Sequence, residues 1–218
     1  MENKCLKKLK GLYVITDDRL TPYEGGLIFQ KVELALKGGA KIVQLRDKNA
    51  PKKALIPVAE KLKELCEKYK ALFIVNDYID IAKGVEANGV HIGKEDVSLE
   101  KALRELPGKI IGVSCYGSLE RALMAEKIGA SYVAFGSFFP SPTKPEASLV
   151  PLELIKKAKK TLTIPICAIG GITLERAKPL VELGADMLAV ISDIWRAPSI
   201  EERAKAYAKL FLEVQTKE

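Results

Sequence analysis

Gln44, Arg46 and Lys48 stand at alternate positions of Val43-Gln44-Leu45-Arg46-Asp47-Lys48, so an extended chain turns all three to one side. One neutral and two cationic donors on one side suit a di-anionic group such as a diphosphate. A surface pair of Arg46 with a neighbouring Glu is the competing reading, and three spaced donors weigh against it. Asp77 and Asp96 follow adjacent apolar runs. Two carboxylates with open positions are the usual protein share of a Mg²⁺ site, the rest coming from water and substrate phosphate. Either Asp alone serves equally well as a helix N-cap, Asp96 ahead of Val97-Ser98 in particular. Ile169-Gly170-Gly171-Ile172-Thr173, together with Ile191-Ser192, offers backbone N–H groups and a helix start to a phosphate. Ser141-Pro142-Thr143-Lys144 adds two hydroxyls and an ammonium, or is simply a proline-kinked turn with a solvated lysine. His91 is expected to be structural, satisfied by backbone groups. Trp195 and Arg196 are expected to pack.

Side chains scattered this widely need a framework that gathers them. Apolar, β-branched runs at 12–16, 42–46, 72–76, 89–92, 110–114, 132–136, 166–169 and 187–191 lack strict alternation, as strands buried on both faces do. Helical patterns separate them, at 28–37, 51–69, 79–85, 99–106, 119–128, 152–160, 174–183 and 200–212. Gly38-Gly39, Asn88-Gly89, Gly129 and Gly184 mark helix ends, where a left-handed residue satisfies the last carbonyls. Ser98, Ser118, Thr173 and Ser199 are candidate N-caps. Eight strands, each followed by a helix, describe an α/β fold of the (β/α)8 TIM-barrel type. A doubly wound sheet shares the alternation, but the count of eight favours the barrel. The polar clusters then fall at strand carboxyl ends, where barrel chemistry collects. Residues 1–218 are expected to form one domain, with a short extension over about 1–10.

Composition narrows the classes. The 218 residues are 48% hydrophobic and 29% charged, which supports one sizeable core and rules against disorder. No apolar run approaches the ~18 residues of a membrane span, and no secretory h-region is visible, so a cytoplasmic protein is expected. Cys5, Cys66, Cys115 and Cys167 lack the short spacing of a zinc or redox motif. The net charge of +7 fits either a nucleic-acid binder or a pocket for phosphorylated substrates. Lys and Glu interleave along the helices, with no basic-aromatic interleaving for base stacking. Charge alone decides nothing.

The motifs, in this order, resemble the thiamine-phosphate synthase family. The likeness runs from Gly11-Leu12-Tyr13-Val14-Ile15-Thr16-Asp17 to Val190-Ile191-Ser192. It rests most on Val43–Lys48, Val75-Asn76-Asp77, Gly89-Val90-His91-Ile92-Gly93 with Asp96, Thr143-Lys144, and Ala168-Ile169-Gly170-Gly171-Ile172. The resemblance implies a transferase of thiamine biosynthesis joining a hydroxymethylpyrimidine diphosphate to a thiazole phosphate, plain or carboxylated, with release of pyrophosphate. It implies Gln44, Leu45, Arg46, Asp47, Lys48, Asn76, Ser114 and Lys144 around the pyrimidine diphosphate. Arg46, Lys48, Lys144 and Ser114 would act on the reacting atoms, and Asp77 and Asp96 would hold Mg²⁺. Ser141, Pro142, Thr143, Gly171, Ile191 and Ser192 would line the thiazole phosphate side. Three positions depart from the family pattern: Ser141 for Thr, Lys94 for Gln, and Asp193 for a small residue.

Two rivals make different demands. A thiazole tautomerase-like barrel would not need Arg46, Lys48, Asn76, Asp77, Asp96 and Lys144. A nucleic-acid or regulatory binding protein would need a continuous basic stripe and steep salt dependence. The partners expected are small phosphorylated substrates, with no nucleic acid and no membrane, and a homo-oligomer remains open.

Overall fold

The structure is a computed structural model that describes residues 8–93 and 97–215. Eight parallel strands close into a barrel in chain order. They are β1 (Gly11–Ile15), β2 (Ile42–Leu45), β3 (Leu72–Asn76), β4 (Gly89–Ile92), β5 (Ile110–Tyr116), β6 (Tyr132–Phe135), β7 (Ile166–Ile169) and β8 (Met187–Val190). The helices α1 (Leu27–Lys37), α2 (Lys52–Lys68), α3 (Ile79–Gly84), α4 (Leu99–Glu105), α5 (Leu119–Ile128), α6 (Glu153–Thr161) and α7 (Leu174–Glu182) join them. Two more, α8 (Ser192–Trp195) and α9 (Ile200–Gln215), follow β8. This is the expected (β/α)8 architecture. None of the described helices is long and apolar enough to cross a membrane.

Strand parity divides two cores. Tyr13, Ile15, Ile42, Leu72, Ile74, Ile110, Tyr132, Cys167 and Met187 pack inside the barrel. Their neighbours Leu12, Val14, Val43, Leu45, Phe73, Val75 and Leu188 pack outward under the helices. Both faces are apolar, so the sequence shows no alternation while the structure keeps the period of two. Leu9, just ahead of β1, is buried among the inner residues and helps fill the barrel's amino end. Cys66, Cys115 and Cys167 are buried free thiols, and burial pushes Cys66 and Cys115 up to about 12. Cys5 lies outside the described residues.

Local signals held unevenly. Ser98 and Ser118 accept from the N–H groups of Lys101 and Arg121, and Ser199 Oγ accepts from Glu202 at 3.3 Å. Thr173 makes no such cap. Asp193 takes its place, accepting from the Leu174 N–H at 3.2 Å. Gly39, Gly129 and Gly184 adopt positive φ as expected, but Gly89 does not. A side chain at Gly89 would run into the Ile110 carbonyl, so close strand approach is its reason. The fifth strand continues past Ser114, with a register shift between Ser114 and Tyr116. Such irregularities re-aim side chains at strand ends.

The short α8 has no strong sequence signal, and tertiary contacts hold it. The indole N–H of Trp195 donates to the Ile15 carbonyl at 2.7 Å, tying α8 to the end of β1. Asp193 accepts from Arg203 Nη1 and, at 2.7 Å, from the Tyr207 hydroxyl, both on α9. Burial and this carboxylate push the Tyr207 phenol well up, while the bond to Asp193 raises Arg203. Asp193→Ala would leave a guanidinium and a phenol without their shared acceptor. It is expected to cost about 2–3 kcal/mol, a fall of roughly 5–10 °C in Tm that calorimetry would read. An unchanged Tm would show that α8 is held without Asp193.

Candidate active site

The carboxyl ends of the strands surround one cavity of about 620 Å³, within the ~300–1,000 Å³ range of small-molecule sites. Gln44, Arg46, Lys48, Asn76, Asp77, Ser114, Ser141, Thr143, Lys144, Gly171, Ile191 and Ser192 all line it. Residues spread over most of the chain therefore face one another only because the barrel closes.

Three expected contacts fall elsewhere. Leu45 has the opposite parity to Gln44 and packs under the helices. Asp47 is likewise turned from the cavity and organises the loop after β2. It accepts from the Tyr23 hydroxyl at 2.7 Å and from the N–H groups of Asn49 and Ala50 at 2.8 and 2.9 Å. Burial alone would raise this carboxyl, but those bonds and the nearby Arg46 hold it below its ordinary value. Pro142 lines a shallow neighbouring depression with Gly171 and Ser192. Asp96 and Lys94 lie outside the described residues.

On the β2–β3 side, Arg46 Nα–H donates to the Thr16 hydroxyl at 3.0 Å, which fixes the strand end and leaves the guanidinium at the cavity wall. The Lys48 ammonium sits 3.4 Å from Asp77. Asp77 itself holds a left-handed backbone, φ +64°, at the end of β3, and its side chain is only 15% exposed. Lys144 and Thr143 lie on an exposed loop above, where the Ser141 and Thr143 hydroxyls bond at 2.8 Å. Arg46, Lys48 and Lys144 thus share the cavity with the acids Asp17, Asp77 and Glu146.

Across the mouth, the loop after β6 lies directly against the Gly170-Gly171 turn. The N–H groups of Phe138 and Phe139 donate to the Ile169 and Gly170 carbonyls at 3.2 and 3.1 Å. Gly170 and Gly171 hold φ of +104° and +60°, and a side chain on Gly171 would meet the carbonyls of Phe139 and Pro140. This contact brings Gly171 beside Ile191 and Ser192, where α8 begins.

The cavity floor holds what the sequence reading missed. Gln44 Nε2 donates to the Tyr13 hydroxyl at 2.8 Å, and the Tyr13 and Tyr132 hydroxyls bond at 2.7 Å. The Tyr132 hydroxyl lies 2.8 Å from His91 Nδ1, and His91 Nε2 lies 2.7 Å from Ser114 Oγ. His91 is therefore held by side chains rather than by backbone groups, and its ring stacks on Tyr132 at 5.6 Å. Tyr13 and Tyr132 read as core aromatics in the sequence. Their inward parity and polar tips were the available signal.

A family model described as thiamine monophosphate synthase matches residues 12–194. The chain belongs to the thiamine monophosphate synthase family. It is 44% identical over 207 residues to the thiamine-phosphate synthase of Thioalkalivibrio sulfidiphilus, covering 94% of this chain and 97% of that one. The corresponding enzyme of Aromatoleum aromaticum is also 44% identical, over 205 residues, with 94% and 97% covered. Among solved structures, a thiamine phosphate pyrophosphorylase from Pyrococcus furiosus superposes with a TM-score of 0.88 at 41% identity. That match covers 97% of this chain and 99% of that one. The activity of the family, thiamine-phosphate synthase, is that of a transferase of thiamine biosynthesis.

Proposed function

We propose that the cavity holds both reactants at once: a pyrimidine diphosphate on the β2–β3 side and a thiazole phosphate against Gly171 and Ser192. The observation that supports this is the presence of two anion-favouring walls in one cavity, with polar ring-binding groups between them. Arg46, Lys48, Asn76 and Lys144 take the diphosphate, while Gln44 and Ser114 take the pyrimidine ring. Ser141, Thr143, Gly171, Ile191 and Ser192 take the second phosphate through hydroxyl and backbone N–H groups.

The donor chemistry of Asp77 fits Mg²⁺. It is a hard carboxylate turned into the cavity, and no group of three His, Cys, Asp or Glu among the described residues could form an all-protein cage. A site of one or two carboxylates completed by phosphate and water is the usual Mg²⁺ arrangement. Asp77, with Asp96, would hold the ion, which when bound supplies positive charge to the departing diphosphate.

In the reaction we infer, the bond between the pyrimidine methylene and the diphosphate oxygen breaks first, and the electron pair leaves with pyrophosphate. The thiazole nitrogen lone pair then forms the new C–N bond to the resulting cation. No covalent nucleophile is needed. Arg46, Lys48 and Lys144 stabilise the leaving charge, and the cavity holds the rings in attack geometry. The described residues act as one domain, and the cytoplasm is the expected compartment.

Purified protein with both phosphorylated rings and Mg²⁺ should yield thiamine phosphate and pyrophosphate in equal amounts. EDTA and Asp77→Ala should each abolish both products. Tight thiazole phosphate binding without any product would instead favour a tautomerase-like role. Turnover surviving EDTA would remove the metal from the scheme.

A further inference from the structure

The floor network has a direction. Gln44 and the phenols of Tyr13 and Tyr132 are at most 2% exposed, so each phenol hydrogen needs an acceptor within the barrel. Tyr13 accepts from Gln44 Nε2 and must therefore pass its own hydrogen to Tyr132. Tyr132 must in turn donate to His91 Nδ1, which leaves the imidazole proton on Nε2 to donate to Ser114 Oγ. The opposite direction requires the Gln44 amide to be turned end for end, with Oε1 accepting from Tyr13 and Nε2 facing the cavity. Burial pushes both phenols well above their ordinary range, so neither loses the proton the chain requires. The geometry is built for this. Gly112 leaves the room that the Tyr132 ring fills, since a side chain there would strike the ring.

Two groups at the ends of the relay have no hydrogen-bond partner among the described residues and belong to side chains that line the cavity: the Ser114 hydroxyl hydrogen and the Gln44 carbonyl oxygen. We propose that the Gln44–Tyr13–Tyr132–His91–Ser114 relay determines specificity. It fixes Ser114 as a donor and Gln44 Oε1 as an acceptor, and so selects a ring with a ring-nitrogen acceptor and an exocyclic amino donor. An aminopyrimidine has both groups. A pyrimidinone, with a carbonyl in place of the amino group, sets two acceptors against each other at Gln44. Tyr13, Tyr132 and His91 are positioning residues that act through Gln44 and Ser114. The inference rests on the reading of this floor as the pyrimidine pocket.

His91 is the sole histidine of the chain, so ¹⁵N-histidine labelling of the full-length protein gives a single imidazole signal set. The expected state, without any ligand, is a neutral ring protonated on Nε2 with Nδ1 accepting. A ring protonated on Nδ1, or an exchanging mixture, overturns the relay direction and needs no variant to do so. The second readout is the ratio of kcat/KM for the aminopyrimidine diphosphate to that for its 4-oxo analogue, at saturating thiazole phosphate. Wild type should favour the amino compound by ~10² or more, as polar mismatches in built sites do. Tyr132→Phe should release the tautomer into a mixture and reduce that ratio at least tenfold, with the KM for thiazole phosphate unchanged. Tyr13→Phe carries the same expectation if Tyr132→Phe does not fold. A ratio that survives in the variant overturns the proposal even if activity falls. Failure of the wild type to form any thiamine phosphate would instead sink the reading of the pocket, while the tautomer would still report the relay direction.

Discussion

Arg46→Ala is expected to lower kcat/KM by ~10²–10³, the usual cost of removing one group that stabilises developing negative charge. Arg46 sits at the end of β2 with its guanidinium at the cavity wall, and no acid among the described residues pairs with it. The truncation therefore breaks no ion pair among the described residues. The backbone bond from Arg46 to Thr16 survives, since it uses the main-chain N–H. Stability should stay within about 0.5 kcal/mol, as for ordinary substitutions outside the core. Arg46→Lys should recover only part of the rate, because an ammonium lacks the planar fork that grips two phosphate oxygens. Steady-state kinetics with each substrate varied in turn would check this. Near-wild-type turnover in Arg46→Ala would remove Arg46 from the chemistry.

The second large effect is expected at Gly171. Alanine there meets two obstacles: a left-handed backbone at φ +60°, and the Phe139 and Pro140 carbonyls lying where Cβ would go. The backbone term is roughly 1–2 kcal/mol, and the collision adds about 1–3 kcal/mol unless the β6 loop retreats. A retreating loop would carry Ser141 and Thr143 away from Ser192. The KM for thiazole phosphate should then rise by ~10², on the scale at which ångström misplacements cost catalysis. Gly25 supplies the control, at φ +61° with nothing within 4 Å of a built Cβ. Gly25→Ala should show the backbone term alone, with both KM values unchanged. Equal effects at the two glycines would show that the Gly171 contact has no part in substrate binding.

The alternating arrangement was legible because it is local. Apolar runs of strand length, helical spacing such as Leu55, Val58, Ala59 and Leu62, and caps such as Ser98 and Ser118 all act within a few residues. The parity of Gln44, Arg46 and Lys48 was equally local, since side chains of an extended chain alternate whatever surrounds them. That parity also decides Leu45, which packs outward between Gln44 and Arg46. The family resemblance grouped Leu45 with its neighbours, a grouping its outward side chain leaves to the main chain alone.

What only the tertiary structure decided involves partners far apart in the chain. Tyr13 and Tyr132 meet across 119 positions, and nothing local in the sequence says which partner an inward-facing phenol will meet. His91 was expected to lean on backbone groups, yet its partners come from β5 and β6. Thr173 has the residue type of an N-cap, but Asp193, from beyond the next strand, does the capping. The four-residue α8 is too short for periodicity to mark, and it holds its place through Trp195 and Asp193. The sequence determined the elements and which side of each strand bears chemistry, because those follow from backbone geometry over a few residues. Barrel closure decided which of those side chains meet, because a hydrogen bond depends on distance in space and not along the chain.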